Sequence, residues 1–365
     1  MSPPRHVLMT ADTGSGGWSH AAELCGALVH HGVKVTLMSM GRLPDDEQRA
    51  QIDKLGNVDL VPTAYRTKWT AGWEDDLERS GENLLRLEAA LAPDVVHLNG
   101  YWHGGLCFRA PVLVAAQSSS ALWWKACRQE EMPPQWSSYA NLVSSAVERA
   151  HMLVAPTEAF LAEFQSMHGN ASAARAIPNG ISATRCKPGV KRRIVLAAGR
   201  VWDEAKNISL LCRVAETVDA PIVVAGELVA PDGTVAEAGG VAALGRLSSA
   251  ELSRWMAEAA IFAAPARYEP SGLAILEAAL SGCALILSDI PSLRELWDGA
   301  ATFIQPDDVA GLRRAIRMLS EMPQLAASDG RKARERALTY SAERMGDAYY
   351  RAYQDMLAAA VGVAA

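Results

Sequence analysis

Short apolar runs alternate with longer stretches of helical spacing along this chain, and that alternation restricts its fold more than any other feature. His6–Thr10, Lys34–Met38, Val95–Leu98, Val112–Ala116 and Met152–Ala155 read as buried strands. Ser19–His31 and Asp75–Leu91, which lie between them, space their apolar residues as helices do. Buried strands alternating with helices form β-α-β units, a parallel sheet with helices on both faces. The pattern then restarts. Arg193–Ala198, Pro221–Ala225, Ile261–Ala264, Ala284–Leu287 and Thr302–Ile304 make a second strand series, with helices at Ile208–Thr217, Ser249–Glu258, Gly272–Ser281 and Val309–Ser320.

The break falls at Ile177–Lys191, where Pro178, Gly180, Pro188 and Gly189 cluster with polar residues. At 365 residues the chain exceeds what one core usually supports, so two domains are expected, over 1–185 and 186–340. Met345, Tyr349, Ala352 and Met356 share one helical face in the tail, so 341–365 is expected to pack back toward the N-terminal domain. The predicted class is α/β: two Rossmann-like, doubly wound parallel sheets, with ligand bound in a cleft at the carboxyl ends of the strands.

Charge and cysteine use narrow the partners. A net charge of −6, shared between the two halves, gives no reason to expect nucleic acid and no basic face for anionic lipid. The six cysteines lack C-x-x-C or histidine-partnered spacing, which fits a reduced protein better than a disulfide framework or a zinc site. Strand-like sequence begins almost at once, so no signal peptide is expected, and the best apolar stretch, Leu273–Leu287, is interrupted by Glu277. The expected location is the cytoplasm, with membrane contact at most peripheral, at its inner face.

Two segments carry the chemistry. Arg267–Leu280 places Glu269 in a loop after a buried strand and Glu277 inside the next helix, with Pro270, Ser271 and Gly272 between. Free N–H groups at such a helix start can face an anion, and the two carboxylates can accept from hydroxyl pairs. On spacing alone, a surface Glu and a helix-face Glu are the commoner reading. Gly199–Asn207 also leads from a strand into a helix, and Arg200 and Lys206 there can jointly neutralise a diphosphate. In isolation, two solvated surface cations are an equal reading.

Taken in order, the Gly14-Ser15-Gly16-Gly17 loop, Gly32-Val33-Lys34-Val35, Ala176-Ile177-Pro178-Asn179-Gly180, the GR…KN loop, Gly245-Arg246-Leu247-Ser248 and the E-x7-E element resemble the retaining glycosyltransferases of family GT4. The resemblance covers nearly the whole chain. It implies a GT-B fold and metal-independent transfer of sugar from a nucleotide diphosphate, with anomeric configuration retained and no cofactor. It further implies that Arg200 and Lys206 bind the donor diphosphate and stabilise the leaving charge, that Glu269 binds the donor sugar, and that Glu277 binds the ribose. Ser271, Gly272 and Leu273 would supply main-chain contacts to the distal phosphate and sugar, and Arg246 and Leu247 would lie along the base. Gly16 and Gly17 would let the first loop approach the phosphates, although a tight strand-to-helix turn explains them as well.

The first half departs from the family at one place. Where GT4 members commonly carry a histidine after a strand, this chain has Gln117. Glutamine cannot exchange protons, but its amide can bind a donor-sugar hydroxyl. Acceptor-side candidates are Asn99, Trp102, His103, Trp123 and Trp124. His97 and His103 are more often structural in such positions, and packing explains each tryptophan, Trp18, Trp69, Trp73 and Trp136 included, as well as sugar stacking does.

The leading expectation is a hexosyl-type transferase of polysaccharide biosynthesis or a related route. It would use a UDP-, GDP- or ADP-sugar donor and a saccharide, lipid or small-molecule acceptor. The alternatives are a non-catalytic sugar-nucleotide binder or transferase partner, motivated by Gln117, and a sugar-nucleotide epimerase on the same fold.

Overall fold

The computed structural model describes residues 3–14, 16–67 and 73–363. Ser15 of the early glycine loop and Trp69 therefore lie outside the described residues.

Two compact units divide the chain. The first comprises the residues up to Ala121, Glu131–Gly180 and the chain from Ala342 onward; the second comprises Leu122–Glu130 and Ile181–Ser341. The first sheet has seven parallel strands: β1 His6–Asp12, β2 Lys34–Met40, β3 Val58–Val61, β4 Val95–Leu98, β5 Val112–Ala115, β6 Met152–Ala155 and β7 Ala174–Ala176. They lie in the order β3-β2-β1-β4-β5-β6-β7. The second has six, β8 Arg192–Ala198, β9 Ile222–Ala225, β10 Ala242–Gly245, β11 Ala259–Ala264, β12 Ala284–Ser288 and β13 Thr302–Ile304, in the order β10-β9-β8-β11-β12-β13. Both sheets reverse direction of winding once, between β1 and β4 and between β8 and β11. Loops that leave adjacent strands on either side of such a switch point open away from each other and leave room for a ligand.

The central strands β4, β5, β6, β9 and β12 are buried along their whole length, as the unbroken apolar runs require of a sheet covered on both faces. The strands without such a run are β3, β7 and β10. Each sits at a sheet edge with one neighbour and is partly exposed, so burial imposes no apolar pattern on it.

The C-terminal helix Ala342–Val363 belongs to the first unit. Met345, Tyr349, Ala352, Tyr353 and Met356 are buried in one core with Trp18, Leu24 and Leu28 of the helix Gly17–His30. Gly346 allows the approach: a Cβ there would lie 2.4 Å from that of Ala27. Where the chain enters and leaves the second unit, Ile181 and Ser341 pair in a parallel bridge, so the change of unit falls inside the expected Pro/Gly segment and five residues before the expected boundary. Among the described residues no helix is long and apolar enough to cross a membrane.

Candidate functional site

The loop from Gly199 to Asn207 leaves β8 at the switch point of the second sheet. Its backbone is held by close packing. Gly199 has φ +151°, and a Cβ on Gly226 at the end of β9 would lie 1.7 Å from the Gly199 carbonyl oxygen. No other residue type fits at 226. The loop ends on Asn207, which is left-handed at φ +52° and starts the helix Ile208–Ala215. Its amide nitrogen donates to the carbonyl of Pro265 at 3.0 Å and to Asp307 at 3.0 Å. The Arg267 N–H donates to the Ala205 carbonyl at 2.9 Å, so the β8 and β11 loops are tied together.

Both cations of the β8 loop are paired. Arg200 donates to Asp203 at 2.6 Å, lies over the Trp202 ring at 5.2 Å from its centroid, and remains 40% exposed. Asp203 is buried, which opposes its charge. Arg200, the Trp123 indole N–H, Lys206 and the Ala205 N–H outweigh that cost and hold its carboxyl below the usual range. Lys206 donates to Glu269 at 2.5 Å, with side-chain exposures of 25% and 14%. For Glu269, too, burial opposes ionisation, and the Lys206 charge with the N–H groups of Gly272 and Ser271 reverses the balance and lowers its pKa.

Glu269 does two jobs in this arrangement. It neutralises Lys206, and it accepts from the Gly272 N–H at 2.9 Å, satisfying the start of the helix Leu273–Leu280. Gly272 is left-handed at φ +68°, and a Cβ there would meet Ile275 Cδ1 at 2.8 Å. The Ser271 and Gly272 N–H groups expected to meet a phosphate are thus engaged by Glu269. Ser292 Oγ donates to the Glu269 carbonyl at 2.7 Å and fixes the loop from below. A cavity of about 20 Å³ borders Lys206, Glu269, Ala198, Ala264 and Ile275, room for one water-sized group.

Glu277 is the half-buried polar member of an otherwise apolar helix, and Arg185 stands 3.9 Å from it. Sequence reasoning missed Arg185, one of many basic residues and outside any motif. Asp203, which organises the β8 loop, was also missed; its only signal was a carboxylate three residues after Arg200. Arg246 and Leu247 follow β10, with Arg246 exposed and 3.5 Å from Glu227. Gly245, at φ +68°, accepts from the Gly226 N–H at 2.8 Å, so Gly226 anchors this loop as well.

In the first unit, Gly16 precedes the helix Gly17–His30 with open space where its Cβ would be, and the Gly14 N–H donates to Asp12 at 2.8 Å. Gln117 forms a reciprocal amide pair with the buried Asn179. Its oxygen accepts from Asn179 at 2.8 Å, its nitrogen faces the Asn179 oxygen at 3.4 Å, and the ring of His20 lies 3.5 Å away.

The acceptor-side candidates are placed differently from the expectation. His103 is 3% exposed, bonds to Ser80 at 2.8 Å, and burial pushes its pKa down to about 4. Asn99 spends its amide on the Thr10 carbonyl at 2.9 Å and on His97 at 3.2 Å. His97 is fully buried, bonded to the Tyr353 hydroxyl at 2.6 Å, with its pKa pushed to about 3 by burial. Trp102 packs against Trp73 and Tyr139. These side chains are satisfied within their own unit. Trp123 and Trp124, expected on the first domain, group with the second unit instead. Trp123 donates to Asp203 at 2.9 Å, and Arg128 lies over Trp124. Position before the Pro/Gly segment was a poor guide because the helix Ser120–Arg128 changes unit at Leu122.

Comparison with known proteins bears on both units. A family model described as Glycosyltransferase Family 4 matches residues 14–185, and one described as Glycosyl transferases group 1 matches residues 192–322. A GDP-mannose:cellobiosyl-diphosphopolyprenol alpha-mannosyltransferase of Komagataeibacter xylinus is 33% identical over 204 residues, covering 51% of this chain and 52% of that protein. The chain thus spans about half the length of that curated relative. Among solved structures, sucrose-phosphate synthase from Thermosynechococcus elongatus superposes with a TM-score of 0.79 at 17% identity, covering 97% of this chain and all of that one. Anabaena Alr3699/HepE in complex with UDP-glucose gives 0.73 at 14% identity, covering 97% of this chain and 99% of that one. The fold is that of the GT-B glycosyltransferases.

Proposed function

We propose that this chain, which belongs to the group 1, or family 4, glycosyltransferases, transfers a hexose-type sugar from a nucleotide diphosphate-sugar to an acceptor hydroxyl. The observation that carries the reading is the presence of Arg200 and Lys206 on one loop, the one that leaves β8 at the switch point, each already matched to a carboxylate. Two cations held in place by Asp203 and Glu269 are preorganised for a diphosphate. They lose little conformational freedom when it binds.

As the glycosidic bond breaks, charge builds on the leaving phosphate. Arg200 and Lys206 are the groups that stabilise it, a contribution of several kcal/mol where donors are fixed in advance. Glu269, displaced from the helix start or shared with it, is free to accept from a donor-sugar hydroxyl. Glu277 stands one turn further along the same helix for the ribose. We assign retention of configuration to a same-face route in which the leaving phosphate takes the proton of the acceptor hydroxyl. Gln117 then needs no proton of its own.

The named relatives use or hold GDP-mannose and UDP-glucose, so both donors are the first to test. The experiment is an initial-rate assay of sugar transfer and of donor hydrolysis with each. The native protein is expected to turn over one of them, with loss of at least a hundredfold in Arg200→Ala and Lys206→Ala. Unchanged rates in both variants remove the diphosphate assignment.

A second reading follows from Gln117. Its amide pair with Asn179 leaves no proton shuttle at that position, as in a sugar-nucleotide binder or transferase partner without activity of its own. Such a protein binds nucleotide and transfers nothing until Gln117→His restores an imidazole. Turnover by the native chain eliminates this reading.

A further inference from the structure

Asp203 is nearly buried and accepts three hydrogen bonds with its two oxygens used unequally. Oδ1 takes the Trp123 indole N–H at 2.9 Å and the Ala205 N–H at 3.0 Å. Oδ2 takes Arg200 at 2.6 Å. The two bonds on Oδ1 fix the plane of the carboxylate, because one anchors it to its own loop and the other to the helix Ser120–Arg128. Oδ2 is then presented in one direction, and Arg200 meets it through a single terminal nitrogen. The guanidinium carries five N–H donors, so most of its donors stay available, and its 40% exposure gives them access to a ligand. The guanidinium also lies over the Trp202 ring, 5.2 Å from its centroid.

A second bond ties the same helix to the same loop: Arg128 donates to Glu204 at 2.5 Å. The helix therefore holds the Arg200 loop at two consecutive loop residues, Asp203 and Glu204. Trp123 reaches no other polar group among the described residues. Without its N–H, Oδ1 keeps only the bond from within the loop, and the carboxylate is free to turn.

We propose that Trp123 is a positioning residue for the diphosphate: acting through Asp203, it fixes the orientation in which Arg200 meets the phosphate oxygens. This rests on the donor reading given above. Trp123 itself touches neither donor nor acceptor. Its part is to keep the Arg200 guanidinium in the attitude that receives the diphosphate, which differs from stacking on a sugar ring.

The test uses the full chain with ¹⁵N-labelled tryptophan. The Trp123 indole resonance is the one lost in Trp123→Phe, which keeps an aromatic ring but removes the five-membered ring that carries the N–H. Arg200→Ala is expected to move that resonance, whereas Arg192→Gln, at the far end of β8, leaves it in place. A resonance unmoved by Arg200→Ala overturns the coupling whatever the protein binds.

Calorimetric titration with UDP and with GDP supplies the second arm. Trp123→Phe is expected to weaken binding of the preferred nucleotide about tenfold, the usual worth of a hydrogen bond to a charged group. In an Arg200→Ala background the same change is expected to have no further effect. Equal weakening in both backgrounds makes Trp123 merely structural and overturns the proposal. Asp203→Asn, which keeps the shape and removes the charge, provides a second variant with the same expected pattern. If neither nucleotide binds the native chain, the donor reading fails, and the resonance measurement alone still decides the coupling.

Discussion

Removal of Lys206 should convert Glu269 from a pH-stabilising group into a pH-destabilising one. In the native protein the Glu269 carboxyl titrates below its ordinary value of 4.5. Its pairing therefore contributes stability that is present above that value and lost as pH falls through the lowered pKa. In Lys206→Ala the largest influence left is burial, which raises the pKa, so the sign reverses: the folded state pays to ionise Glu269, and pays more as pH rises above 4.5. With its side chain only 14% exposed, an unpaired Glu269 should cost about 3 kcal/mol at pH 8, the low end for a broken buried pair. For a unit of this size that is about 6–12 °C of melting temperature. At pH 5 the same group costs under about 1 kcal/mol, because it can stay protonated. The assay is thermal unfolding of native, Lys206→Ala and Lys206→Ala/Glu269→Gln proteins at pH 5 and pH 8. The single variant should fall further behind at pH 8, and the double variant should recover most of the difference. A deficit independent of pH, or no recovery in the double variant, refutes the reasoning.

Other outcomes follow from the same geometry. His20 and His103 are buried with pKa values pushed to about 4, so the first unit should lose about 2 kcal/mol for each at pH 5 relative to pH 8; a flat stability profile over that range contradicts the placement. Gly226→Ala should prevent the second unit from folding, because a Cβ 1.7 Å from the Gly199 carbonyl cannot be relieved by a side-chain rotation; a soluble variant with native melting behaviour would disprove it. If Arg200 and Lys206 carry the diphosphate charge, turnover should persist in excess EDTA, and a rate that is lost and then restored by added Mg²⁺ contradicts that assignment.

Much of the fold was legible because buried parallel strands must be apolar throughout. The central strands announced themselves, whereas β3, β7 and β10 did not, since an edge strand such as Ala242–Gly245 has too little burial to leave a pattern. The residues proposed to bind the donor stood out for a different reason: Arg200, Lys206 and Glu269 occupy strand-to-helix loops, and the strand order brings the β8 and β11 loops side by side. What the sequence concealed were the partners. Nothing in the spacing of Trp123 and Asp203, 80 positions apart, suggests a hydrogen bond. Nor does Gln117 alone indicate that Asn179 closes an amide pair with it. Such contacts depend on how loops from separate strands converge, and a residue's own neighbours in the chain carry no trace of that.

The central claim is that one wall, built from Arg200, Lys206, Glu269 and Glu277, binds a nucleoside diphosphate. Calorimetric titration of UDP and GDP into the native chain and into Lys206→Ala/Glu269→Gln tests it most directly, because that variant removes the pair without leaving a buried charge behind. The native protein should bind one of the two nucleotides, and the variant should bind it at least tenfold more weakly. Equal affinity for both proteins would contradict the claim.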